Sequence, residues 1–235
     1  MSCICVIGMH RSGTSCLTGI MQRLGIELGE VFTENSHNKK GNRENARIVN
    51  FNEALLQING GAWNAPLVTP KWDERFTKER DEIIKSLDTG DANTDWGFKD
   101  PRAMFTLDIW LEALPDMKFI GTFRHPYRVA LSLNNRDNTP IAEGMELWRQ
   151  YNERLIELHT KQPFDIVDFD AEPEAYLDDV IQKLVRLGIE PLRAEEARDF
   201  FDTSLRNQTD VSTDDYELPE EIQQTYAKLR AIYSQ

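Results

Sequence analysis

Cysteine is scarce in this chain, and long apolar runs are missing altogether. Three cysteines, Cys3, Cys5 and Cys16, occur among 235 residues. An odd, N-terminal set without an export signal argues against a disulfide framework and places the chain in a reducing compartment, the cytoplasm. Cys3 and Cys5 lie two apart, on one side of a short β run. With no second cysteine pair and only four scattered histidines, they read as core thiols rather than half of a metal site, and no metal is expected. No stretch is long and apolar enough to span a bilayer as a helix, and no membrane partner is expected. Positive charge is also in deficit: 27 Lys and Arg stand against 40 Asp and Glu, a net charge of -13. Nucleic acid and anionic membranes are therefore poor partners. The exceptions are local. Residues 1–26 contain His10, Arg11 and Arg23 with no acid, and residues 117–136 contain Lys118, Arg124, Arg128 and Arg136, again with none. Two basic islands in an acidic chain point to a bound anion.

Apolar residues make up 40% and charged residues 29%, a globular composition, and 235 residues suit one α/β unit spanning 1–235. Periodicity predicts strands at 3–8, 96–99, 118–123 and 164–169. It predicts helices at 15–24, 46–58, 74–87, 103–114, from 126, at 173–187, at 195–201 and from 219. Strands alternating with helices imply a central parallel sheet with helices on both faces, a three-layer sandwich whose C-terminal half is mainly helical. The polar stretch 33–45 reads as an exposed loop able to act as a lid, and 209–221 as an acidic surface connection.

Gly8-Met9-His10-Arg11-Ser12-Gly13-Thr14-Ser15 lies between the first strand and the first helix, where backbone N–H groups and the helix dipole can cradle a phosphate. The glycine spacing matches the phosphate loop of nucleotide triphosphatases, but Thr14 occupies the place of its lysine, which disfavours a triphosphate. The cation stands three residues earlier, at Arg11. In this Arg-Ser-Gly-Thr-Ser run the sequence resembles the sulfotransferases that use 3′-phosphoadenosine-5′-phosphosulfate (PAPS). Their fold is the phosphate-loop-like sandwich, and the resemblance implies contacts to the 5′-phosphosulfate from Arg11, Ser12, Gly13, Thr14 and Ser15. The family's second signature is an arginine closing a strand and a serine eight residues later, which Arg124 and Ser132 match. They would hold the 3′-phosphate. Arg128 and Arg136 share that helical face and read as solvated. The resemblance covers residues 3–136. A basic C-terminal segment is also implied, for which Arg206 is the candidate.

Gly97-Phe98-Lys99-Asp100-Pro101-Arg102 puts a lysine at the carboxyl end of a predicted strand, the edge where open α/β sheets carry their sites. An alternative role for its charges is a surface pair of Lys99 or Arg102 with Asp100. The Lys-Asp-Pro segment is similar to that of tyrosylprotein and bacterial sulfotransferases, which implies that Lys99 stabilises the transferring group together with Arg11. The same likeness implies Glu44 as base, with Glu27, Glu30 and Glu34 as rivals. Pro101 stands where hormone and phenol sulfotransferases carry a histidine base; His10, His37 and His125 remain helpers or structural groups. The expected activity is sulfuryl transfer from PAPS, without metal, to a hydroxyl on a small-molecule, carbohydrate or peptide acceptor. A small-molecule kinase and a non-catalytic nucleotide-binding module are the alternatives. Trp63, Trp72 and Trp110 are candidates to line an acceptor pocket, or members of the core.

Overall fold

Four strands, β1 (Cys3–Ile7), β2 (Trp96–Lys99), β3 (Lys118–Phe123) and β4 (Asp165–Asp168), form the sheet of a computed structural model. The structure describes residues 2–33, 41–66, 69–88, 94–201, 213 and 216–235. The strand order is β2-β1-β3-β4 and every pairing is parallel. Parallel strands are buried on both faces, and all five residues of β1 are buried.

Alternation along β1 sorts the helices into two layers. Cys3, Cys5 and Ile7 join a core built with α2 (Ala46–Ile58), α3 (Glu74–Leu87), α4 (Ala103–Ala113), α5 (Pro126–Asp137), α6 (Ile141–Lys161) and α9 (Glu220–Tyr233). Ile4 and Val6 point to the other face, against α1 (Thr14–Arg23), α7 (Pro173–Arg186) and α8 (Ala194–Phe200). The three-layer α/β sandwich expected from the sequence is the observed fold. Cys3 and Cys5 are buried free thiols, and burial pushes both well above the usual thiol range.

Local chemistry sets the helix starts. Asn45 and Asp73 cap α2 and α3 by accepting from the N–H groups of Arg47 and Arg75, both at 3.0 Å. Proline opens α5 and α7 at the first turn. The sequence did not separate α6 from the helical remainder, and the structure shows it as a 21-residue helix lying along α5. None of the described helices is long and apolar enough to cross a membrane.

Candidate active site

The carboxyl ends of β1, β2 and β3 bring the sequence candidates to one edge. The loop after β1 requires unusual backbone: φ is +153° at Gly8, +68° at Arg11 and +84° at Gly13. A side chain at Gly8 would meet the Thr122 carbonyl at 2.5 Å, and one at Gly13 would strike the Phe169 ring. Left-handed geometry at Arg11, a non-glycine residue, costs about 1–3 kcal/mol and is the kind of strain that collects at functional sites. Thr122 Oγ1 donates to the Ser12 carbonyl at 2.8 Å and ties the loop to β3. Gly13 caps α1 without a side chain to satisfy the first-turn N–H groups. The Ser12 hydroxyl is buried with no hydrogen-bond partner among the described residues. A buried orphan hydroxyl beside an uncapped helix N-terminus fits an anionic ligand such as a phosphosulfate.

Arg11 Nε donates to Ser132 Oγ at 2.7 Å, so the loop and α5 meet directly. Burial, then repulsion from Arg136 and Arg124, pushes the Arg11 guanidinium down to about 10. Such crowding of cations suits an anionic ligand. Ser132 is buried and bonded to Arg11, whereas the sequence paired it with Arg124.

Lys99 is 2% exposed at the end of β2. Its Nζ donates to Glu44 Oε1 at 2.7 Å and to Ser15 Oγ at 3.3 Å. Glu44 is itself buried, as are Gly41, Arg43 and Asn45. The expectation that this part of the 33–45 stretch is exposed is therefore corrected: its polar side chains have partners inside the molecule. Arg43 Nη1 reaches Gln22 Oε1 at 2.8 Å, and Asn45 caps α2. The surface pair of Lys99 with Asp100 is also replaced, since Lys99 bonds Glu44 and Asp100 is fully buried. Asp100 instead accepts from Arg102 Nη1 at 2.9 Å and from Asn52 Nδ2 at 2.9 Å. Burial raises the Asp100 carboxyl above the ordinary range despite the opposing pull of Arg102.

Of the rival bases, Glu27 and Glu30 are exposed. Glu27 bridges to Trp96 at the opposite end of β2 from Lys99. His10 sits edge-on to Trp63 and Tyr151, at ring distances of 5.1 and 5.9 Å. Burial, followed by repulsion from Arg102, Arg136, Lys99 and Arg11, holds its imidazole well below the usual histidine range, hence neutral. His125 packs on Tyr226 at 5.1 Å.

Arg124 follows β3 and is 2% exposed, lying over the Phe169 ring at 5.3 Å. Its Nε donates to Asp170 Oδ1 at 3.1 Å, Arg128 Nη1 reaches the same oxygen at 2.8 Å, and the His125 N–H donates to Asp170 Oδ2 at 2.8 Å. Burial would raise the Asp170 carboxyl, but Arg124, Arg128 and the His125 N–H outweigh it and hold it below the ordinary range. The expectation of a solvated face is corrected for both arginines: Arg128 is half-buried on Asp170, and Arg136 lies 4.8 Å over the Trp63 ring while paired with Asp137 at 2.6 Å. Trp110 is a core residue packed on Phe51 and Phe98, and Trp63 is the tryptophan beside the loop. Arg206, Glu34 and His37 lie outside the described residues. Asp170 and Phe169 were missed in the sequence, although Phe169 ends the strand predicted at 164–169 and Asp170 follows it, at the same sheet edge as Lys99 and Arg124. No group of three or more His, Cys, Asp or Glu suited to a metal occurs among the described residues.

No curated protein matches the sequence. Solved structures share its fold at low identity. The sulfotransferase domain of the Synechococcus PCC 7002 olefin synthase aligns with a TM-score of 0.60 at 15% identity, covering 98% of this chain and 94% of that one. Sulfotransferase STF9 of Mycobacterium avium aligns at 0.58 and 15%, covering 97% and 76% of the two chains. STF1 of Mycobacterium tuberculosis H37Rv gives 0.50 at 15%, with the same coverage. The profile described as the sulfotransferase family matches residues 3–167, which takes in the loop, Glu44, Lys99, Arg124 and Ser132. On that match, the chain belongs to the sulfotransferase family.

Proposed function

We propose that this protein moves a sulfuryl group from PAPS to a hydroxyl of a small-molecule, carbohydrate or peptide acceptor, acting as one domain over residues 1–235. The observation that carries the reading is Lys99 Nζ, shared between Glu44 Oε1 at 2.7 Å and Ser15 Oγ at 3.3 Å. One candidate cation thereby joins a candidate base to the anion loop. Ser12, Gly13, Thr14 and Ser15 hold the 5′-phosphosulfate through the α1 N-terminus, and Arg124 with Ser132 holds the 3′-phosphate. Arg206 is kept as a further 3′-phosphate contact on the resemblance alone.

In the reaction the acceptor oxygen forms a bond to sulfur, opposite the bridging oxygen to the 5′-phosphate, and that bridging S–O bond breaks. Glu44 takes the hydroxyl proton. Lys99 and Arg11 offset the charge that grows on the sulfuryl and leaving oxygens, so no metal is required. The leaving product is adenosine 3′,5′-bisphosphate. Buried free thiols at Cys3 and Cys5 support a reducing compartment, the cytoplasm. Calorimetry tests the donor: adenosine 3′,5′-bisphosphate binds without divalent ions and ATP binds much more weakly. Equal affinities, or a strict magnesium requirement, would overturn the reading in favour of a kinase.

A further inference from the structure

Beneath Lys99 lies a buried polar cluster that the proposed reaction does not use. Asn52, on α2, is fully buried, and its Oδ1 accepts from Thr106 Oγ1 at 2.7 Å and from Trp110 Nε1 at 2.9 Å, both on α4. An indole N–H can only donate, so this contact fixes which way the amide faces. Asn52 Nδ2 must then point at Asp100 Oδ2, 2.9 Å away, and that oxygen must accept. The other oxygen, Oδ1, accepts from the Arg102 backbone N–H at 3.1 Å and from Arg102 Nη1 at 2.9 Å. The indole sets the directions at Asn52, and the donor-only groups of Arg102 set those at Asp100 Oδ1.

The two ends of this chain of bonds belong to the elements that carry the candidate base and cation. Glu44 immediately precedes the cap of α2, and Lys99 immediately precedes Asp100. We propose that Asn52 and Asp100 are positioning residues: their buried hydrogen bond locks α2 to the end of β2 and so sets the contact between Glu44 and Lys99. The inference rests on the functional reading above for its kinetic readout and on packing alone for its structural one.

An exchange of the two side chains tests it. Asn52→Asp alone sets carboxylate against carboxylate, and Asp100→Asn alone sets NH2 against NH2. The double variant N52D/D100N restores every bond, with donor and acceptor reversed only in the one between positions 52 and 100. The carboxylate then at position 52 accepts from Thr106, Trp110 and the amide at position 100, whose oxygen still accepts from Arg102. Each single variant should lower kcat at least tenfold while the Kd for adenosine 3′,5′-bisphosphate stays within about threefold, and the double variant should recover most of the loss. Singles that fail to fold leave the decision to the double variant: wild-type-like turnover supports the lock, and an unfolded or inactive exchange overturns it. Singles with wild-type kcat also overturn it. If the wild-type protein transfers no sulfuryl group, the functional reading fails on its own. The lock is then judged by a thermal-unfolding cycle on Glu44→Gln and Lys99→Met, whose coupling should vanish in Asn52→Asp and return in the exchange; persistent coupling would overturn the proposal.

Discussion

The two anion-binding regions proposed here differ in how they are satisfied. Around the β1 loop, polar groups wait: the Ser12 hydroxyl is buried and unpartnered among the described residues, and Arg11 is crowded by Arg124 and Arg136. At the start of α5 an internal carboxylate already stands on the cations, with Asp170 contacting Arg124, Arg128 and the His125 N–H. The first region carries a strained loop and crowded positive charge at Arg11, which a phosphosulfate would offset. The second is preorganised by its own acid, which orients Arg124 but opposes a further negative charge. One region is thus suited to chemistry and the other to holding the nucleotide.

Breaking the first region should have the largest effect. Lys99→Ala should lower turnover roughly 10²–10³-fold, about 2.7–4 kcal/mol, the scale of losing one preorganised charge contact in a transition state. Product-nucleotide affinity should change far less, and steady-state rates set beside calorimetry check this. Arg11→Ala should follow the same split, since its partner is also charge that develops during transfer. Equal losses in rate and binding would erase the distinction between the regions.

The second region should respond in binding instead. Arg124→Ala should weaken adenosine 3′,5′-bisphosphate by roughly 1.5–3 kcal/mol, the range for a hydrogen bond to a charged group, in a protein that remains folded. An unchanged Kd removes Arg124 from the site. The smallest effect belongs to Asp170→Asn, which should strengthen nucleotide binding by about 1 kcal/mol, the order of two unit charges about 4 Å apart in water. It should also lower Tm at neutral pH. The Asp170 carboxyl is held below its ordinary value of 3.8 in the folded protein. Its stabilisation is therefore present above that value and is lost as pH falls through the lower folded value. The Tm gap between wild type and variant should accordingly close in acid, and a gap independent of pH would contradict the ion pairs.

Much of the scaffold was legible because its signals are local. The apolar run of β1, the Pro126 helix start and the Gly8 to Gly13 loop each depend on neighbours within one turn or one strand. Arg11, Lys99 and Arg124 were also legible, because each sits at a strand end or in the loop that follows. Glu44 was reached only by resemblance, since its polar neighbours look solvent-facing until Arg43 finds Gln22 and Asn45 caps α2. Trp63 and Trp110 could not be told apart by sequence, yet one lies under Arg136 and the other in the core.

By itself the sequence determined the sandwich, the loop between β1 and α1 and the strand-end cations, because propensity, periodicity and backbone conformation act over a few residues. Only the tertiary structure decided the pairings: Arg11 with Ser132 across 121 positions, Lys99 with Glu44 across 55, and Arg124 with Asp170 across 46. Such partners share no local pattern. They are chosen because a charge or polar group taken from water into a packed sheet edge must find its complement there, and which complement is near depends on how the layers close.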